Sequence, residues 1–249
     1  MIILKSPLEI EKMRRSCRMV AEILKIVKAV VKPGITTCSL DEIAERETVR
    51  RGALPAFKGY SGYKFALCCS VNDQVVHGMP NKRELCDGDI LSLDFGVLYE
   101  GFYGDAAITL PVGSVAQSSQ KLIDVTEQSL YKAIEYAVPG GHLSDISNGV
   151  QEYVESRGYS VVRDFVGHGI GRSLHENPQI PNYGKPGRGP KLKPGMVLAI
   201  EPMINEKGFA VKVLADGWTA VTCDGGLSAH FEHTVAITEN GPDILTKFD

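Results

Sequence analysis

Five residues in this chain have the types and surroundings to hold cations. Asp94 closes the apolar run Ile90-Leu91-Ser92-Leu93, and Asp105 opens Ala106-Ala107-Ile108-Thr109-Leu110. Glu201 closes Val197-Leu198-Ala199-Ile200, and Glu232 opens His233-Thr234-Val235-Ala236-Ile237. His168 stands in the apolar and glycine stretch Phe165-Val166-Gly167-His168-Gly169. One acid at the end of one strand is ordinarily a solvated turn residue. Four acids at matching strand ends, joined by an imidazole, need a further reason. Two unit charges roughly 4 Å apart repel by about 1 kcal/mol in water and about 4 kcal/mol at an effective dielectric near 20. Carboxylates brought together must therefore take up protons or be neutralised by cations. Two divalent ions cancel four negative charges. Oxygen and imidazole donors suit first-row divalent ions better than the soft metals of thiolate sites.

Strands and turns must bring these residues together. Phe95 to Gly104 separates the first two acids, with Glu100-Gly101 as a turn signal near its centre. A hairpin centred at Tyr99-Glu100 sets Asp94 and Asp105 nearly opposite, about 4.5–5.5 Å apart and within reach of one cation. Upstream, Ser6-Pro7-Leu8-Glu9 has the form of a helix start. Ile10, Met13, Cys17, Val20, Leu24, Val27 and Val31 then mark one helical face, stopped by Pro33-Gly34. Ser39-Leu40-Asp41-Glu42 repeats the capping form, and Gly52 suits a helix end. Downstream, a helix over Leu122 to Ala137 stops at Pro139-Gly140. Ser144 or Asp145 opens another, ending near Gly158.

These features recur in the same order. Pro33 and Pro139 are 106 residues apart, as are Gly52 and Gly158. Leu85-x-x-Gly88-x-Ile90-Leu91-x-Leu93-Asp94 matches Leu192-x-x-Gly195-x-Val197-Leu198-x-Ile200-Glu201 at an offset of 107. His77-Gly78 matches His168-Gly169 at an offset of 91. The order helix, helix, His-Gly, strand with a terminal acid thus occurs twice. The expectation is one α+β domain over residues 1–249, with pseudo-symmetric halves at about 5–112 and 117–240. Two sheet halves face each other with helices outside, and a site between them collects residues from both.

Composition narrows the class. Of 249 residues, 43% are apolar and 23% charged, and the net charge is −3. Those values fit an ordinary globular protein and give no global attraction to nucleic acid or an anionic membrane. No apolar run approaches the roughly 18 residues of a membrane span. The six cysteines form no Cys-x-x-Cys pair, so zinc-finger and redox readings get no support. Without an export signal, a cytoplasmic protein with reduced thiols is expected.

The set Asp94, Asp105, His168, Glu201 and Glu232, with Val76-His77-Gly78-Met79-Pro80 and Gly167-His168-Gly169-Ile170-Gly171, resembles the type I methionine aminopeptidases from about Lys5 onward. The resemblance implies the pita-bread fold of the creatinase and aminopeptidase group, two halves around a dinuclear metal site. It implies a hydrolase that removes the initiator methionine from nascent proteins with a small second residue. Asp94 and Asp105 would serve one metal, His168 and Glu201 the other, and Asp105 and Glu232 would bridge them. The metals would be cobalt, manganese, iron or zinc, acidifying a water that attacks the first peptide bond. His77 would face the amide nitrogen and His175 the carbonyl oxygen, while Glu201 would carry a proton to the leaving amine. Tyr60, Tyr63, Cys68 and Trp218 would line the methionine pocket. Phe57 and Leu174 join them, standing where many bacterial members have cysteine and phenylalanine. Asn72, Gln74 and Ser228 match a monovalent-cation site.

The same resemblance sets the expected partners. These are the amino terminus of a nascent polypeptide and, through the basic loop Lys185 to Lys193, the ribosome surface. Neither a membrane nor a specific nucleic acid is expected, and the chain is expected to act as a monomer. Two rival readings share the fold. A prolidase or creatinase relative usually carries an additional N-terminal domain, and only a short segment precedes the first helix here. A non-catalytic binding module typically loses metal ligands, whereas all five candidates are present.

Overall fold

The computed structural model describes residues 1–247. In the first half of the chain, helices α1 (Pro7–Val30) and α2 (Thr37–Arg50) precede strands β1 (Leu54–Pro55), β2 (Leu67–Val71), β3 (Gln74–Val76), β4 (Ile90–Tyr99) and β5 (Phe102–Pro111). Helices α3 (Gln117–Glu135) and α4 (Leu143–Glu155) then precede β6 (Ser160–Val161), β7 (Gly167–Gly169), β8 (Glu176–Ile180) and β9 (Val197–Ile200). The remaining strands are β10 (Met203–Asn205), β11 (Val211–Val213), β12 (Ala220–Thr222), β13 (Ser228–His230), β14 (Glu232–Thr238) and β15 (Gly241–Ile244).

The helix ends follow their local chemistry, with three starts shifted from expectation; α3 begins at Gln117 rather than Leu122. Ser6 caps α1, and its backbone N–H donates to Glu9 Oε2 at 2.9 Å. Helix α2 opens at Thr36 rather than Ser39, because Thr36 Oγ1 accepts from the Ser39 N–H at 3.2 Å. Asp41, buried, instead accepts the N–H groups of Ala66 and Leu67 at 2.8 and 3.0 Å. It ties the start of β2 to α2. Helix α4 opens at His142, whose N–H donates to Asp145 Oδ2 at 2.7 Å. Asp145 is thus inside the first turn, not the cap.

A nine-stranded sheet runs in the order β1-β4-β5-β14-β9-β7-β8, with β2 also on β4 and β15 also on β14. Helix α1 lies against β4 and β5, and α3 against β5, β9 and β14. Strand side chains alternate between faces. Leu91, Leu93, Phe95, Ile108, Leu110, Leu198, Ile200, Val235 and Ile237 join the large core with the helices. The opposite face carries Asp94, Gly96, Asp105, Ala107, Ala199, Thr234 and Ala236. Small side chains there leave space in front of the sheet, and that space is the cavity described next.

Candidate metal centre

Sheet register explains how the five ligand candidates meet. Asp94 pairs with Ala107 across β4 and β5, and Ala107 pairs with Glu232 across β5 and β14. His233 pairs with Ile200, so the same register carried one step further sets Glu232 across from Glu201. Asp105 lies two residues from Ala107. His168 pairs with Ala199, two residues from Glu201. The period of two places all five on one face. The hairpin differs from expectation by one step. Its turn is Glu100-Gly101, with φ of 49° and 80°, a two-residue turn whose twist matches the strands. Asp105 therefore pairs with Gly96, and Asp94 and Asp105 are diagonal rather than opposite.

Ligand atoms of Asp105, His168 and Glu232 all lie within 4.8 Å of one another. His168 Nε2 is 3.5 Å from Glu201 Oε1. His168 Nδ1 is 2.9 Å from the Gly169 carbonyl, which places the ring proton on Nδ1 and turns the Nε2 lone pair toward the acids. Asp94 Oδ1, Asp105 Oδ1 and Glu232 Oε1 have no hydrogen-bond partner in the protein. Orphaned buried carboxylate oxygens beside a free imidazole lone pair are the donor set of a hard or borderline divalent cation.

Without cations, the electrostatics are severe. Burial pushes Asp94 up to about 7. Burial and then the Asp94 charge hold Asp105 well above the usual carboxylate range. Glu201 is raised by burial, Asp94 and Asp105, and Glu232 by burial, Asp105 and Glu201. Burial, then His175, lowers His168 to about 3 and His77 to about 4. His175 is lowered by burial. All three imidazoles are thereby neutral at pH 7, as ligand and hydrogen-bonding roles require.

The acids form the floor of a cavity of about 150 Å³. Its walls are Phe57, Tyr60, Tyr63, Cys68, Leu174 and Trp218, with His77 and His175 near the acids. The Trp218 and Tyr63 rings meet edge-on at 5.0 Å. The Tyr63 hydroxyl donates to the Gly78 carbonyl at 3.2 Å. Tyr60 OH lies 2.7 Å from His175 Nδ1, and the His168 and His175 rings are 4.3 Å apart. Burial and Asp94 hold the Cys68 thiol protonated, so it serves as apolar wall. His77 adopts φ 59°, a left-handed conformation uncommon outside glycine and often found at functional sites. The glycine after it is obligatory, since a Cβ on Gly78 would sit 2.3 Å from the Cys69 carbonyl oxygen. A Cβ on Gly169 would sit 2.2 Å from the Asn177 oxygen.

Asn72, Gln74 and Ser228 lie elsewhere, with their side chains engaged. Asn72 Oδ1 accepts from Ile90 N and Nδ2 donates to Asp89. Gln74 Oε1 accepts from Val71 N, and Ser228 Oγ donates to the Ile204 carbonyl. Lys185, Arg188, Lys191 and Lys193 are exposed, on a loop fastened to α4 by Gly187 N to Asp145 and Arg188 N to Ser144.

Sequence reasoning missed two features. Lys5 Nζ and Glu176 Oε2 form a buried ion pair at 2.6 Å. Glu176 Oε1 also accepts the Arg172 and Ser173 N–H groups, shaping the loop that presents His175. His230, fully buried, has its Nε2 3.7 Å from Glu201 Oε2. The Ser-Ala-His-Phe-Glu-His alternation around it reads as an ordinary strand, so only pairing reveals it.

Metallopeptidase family M24 matches residues 11–239. The chain is 57% identical over 246 residues to a methionine aminopeptidase of Clostridium perfringens, covering 99% of each. It is 55% identical over 247 residues to methionine aminopeptidase 1 of Bacillus subtilis, covering 99% of this chain and 100% of that one. The solved structure of a methionine aminopeptidase from Thermotoga maritima superposes with a TM-score of 0.98 at 52% identity, covering 99% and 100%. A prolidase from Pyrococcus horikoshii shares the fold at a TM-score of 0.81 and 23% identity, covering 99% of this chain and 64% of that one.

Proposed function

Because the chain belongs to metallopeptidase family M24, as a type I methionine aminopeptidase of pita-bread fold that removes amino-terminal methionine, we propose that its chemistry resides in the acid-floored cavity. The centre takes divalent cations, held by Asp94, Asp105, His168, Glu201 and Glu232. Two are expected, since two cancel the four carboxylate charges, and cobalt, manganese, iron or zinc all suit the donors. Bound there, they supply Lewis acidity and lower the pKa of water toward 7.

The residues then divide the work. The walls at Phe57, Tyr60, Tyr63, Cys68, Leu174 and Trp218 receive the methionine side chain and exclude water. His175 donates a hydrogen bond to the scissile carbonyl oxygen as charge develops on it. Glu201 takes a proton from the attacking water and returns it to the leaving amine, which His77 orients. A small second residue is favoured, because the reacting bond lies at the cavity floor between His77 and His175. One catalytic domain with halves at 5–112 and 117–240 carries this site. The orphaned oxygens of Asp94, Asp105 and Glu232 are the observation that carries the reading.

The coarser setting follows. Among the described residues no helix is long and apolar enough to cross a membrane. We place the work in the cytoplasm, on the amino termini of nascent chains, by a monomer. The monovalent-cation site at Asn72, Gln74 and Ser228 rests on the resemblance alone, and potassium-independent activity would remove it. Replacing Lys185, Arg188, Lys191 and Lys193 with Glu should weaken ribosome co-sedimentation at low salt, and unchanged pelleting would end that role. The function itself is tested by methionine release from Met-Ala-Ser and Met-Leu-Ser after chelation and metal add-back. The expected result is metal-dependent release favouring Met-Ala-Ser. Equal release from both peptides would overturn the second-residue preference.

A further inference from the structure

We propose that His230 is a positioning residue for Glu201, donating from Nε2–H to Glu201 Oε2 and so holding Oε1 on the His168 side. Both ring nitrogens of His230 lack a partner, although the residue is only 1% exposed. A neutral imidazole has one N–H, and leaving it buried and unpaired costs about 1–3 kcal/mol. Glu201 is bracketed by two imidazoles, with Oε1 3.5 Å from His168 Nε2 and Oε2 3.7 Å from His230 Nε2. A small side-chain rotation brings the second contact into hydrogen-bond range.

His230 is itself held. Its N–H donates to Thr109 Oγ1 at 2.9 Å, and the Thr109 hydroxyl donates to the His230 carbonyl at 2.8 Å. Ser92 Oγ lies 2.8 Å from Thr109 Oγ1. The His230 backbone is thereby anchored to the same two strands that carry Asp94 and Asp105. His230 is not among the residues lining the cavity, whereas Glu201 is, which suits a supporting group rather than a ligand. A group that fixes a ligand carboxylate leaves one oxygen committed to the cation and the other oriented.

This inference rests on Glu201 serving in the metal centre. The test compares wild type with H230Q, H230N and H230L, measuring kcat and KM on Met-Ala-Ser and manganese affinity by calorimetry. Gln places its amide N–H near the Nε2 position, whereas Asn reaches only the Nδ1 position. H230L is expected to lose about 10–100-fold in kcat or metal affinity, with KM little changed. H230Q should recover most of the loss and H230N should not. If H230L does not fold, the contrast between Gln and Asn decides. Equal behaviour of H230Q and H230N, or wild-type kcat and affinity in H230L, would overturn the proposal. E201Q separates the two levels: if it is inactive while H230L is wild-type-like, the centre stands and only the role of His230 falls.

Discussion

His77 joins an unusual backbone conformation to a place in the cavity wall, outside the proposed ligand set. The account predicts that His77→Ala lowers kcat while metal stoichiometry stays unchanged in a calorimetric titration; a lost equivalent of metal would refute that division. His168→Ala should abolish turnover of a Met-Ala peptide at saturating metal, and a wild-type rate would refute the ligand role. At this scale the sequence was informative where residue type and strand position coincide. Each acid ends or opens an apolar run, and His168 is flanked by glycines that let neighbouring backbone approach. His230 was invisible because its partner, Glu201, lies 29 residues away and is brought near only by strand pairing.

The helices and strands were legible from caps and apolar periodicity, and their edges were not. Ser6 and Glu9 formed the expected box, but Thr36 displaced Ser39 because its hydroxyl reaches the free N–H first. The hairpin register depended on which two residues take positive φ. Moving the turn from Tyr99-Glu100 to Glu100-Gly101 turned an opposed acid pair into a diagonal one on the same face. Pairs distant in sequence also escaped notice, as with Lys5 and Glu176. That ion pair is almost wholly buried, and Glu176 shapes the His175 loop. Lys5→Ala leaves a buried carboxylate without its cation, so denaturant unfolding should register a loss of about 3–5 kcal/mol. A loss under about 1 kcal/mol, the worth of an exposed pair, would contradict this.

The whole molecule buries the four proposed ligand acids, and in metal-free protein burial favours their protonated forms. Asp94 is raised to about 7, and Asp105, Glu201 and Glu232 lie well above the usual range. Their contribution to stability is complete below about pH 4 and is lost as pH rises through the native values. Buried histidines act in the opposite sense. His168 and His230 near 3 and His77 and His233 near 4 stabilise fully above the unfolded value of about 6.5 and lose that as pH falls. Above about pH 6.5 the carboxylates still change, and near pH 8.5 the buried thiols of Cys17, Cys68 and Cys69, raised by burial, begin to add to the loss in the same direction. Chelated protein should therefore show a falling Tm from about pH 6.5 to 8.5, and saturating manganese should remove the fall. A flat or rising Tm in chelated protein would contradict the burial of charge argued here. The most direct measurement is a calorimetric manganese titration of chelated protein, read in parallel with methionine release, on wild type and on the D105N/E232Q double variant. Release should return in step with bound cation in the wild type, and the variant should neither bind nor release. Undiminished binding in the variant, or full release by chelated wild type, would contradict the account.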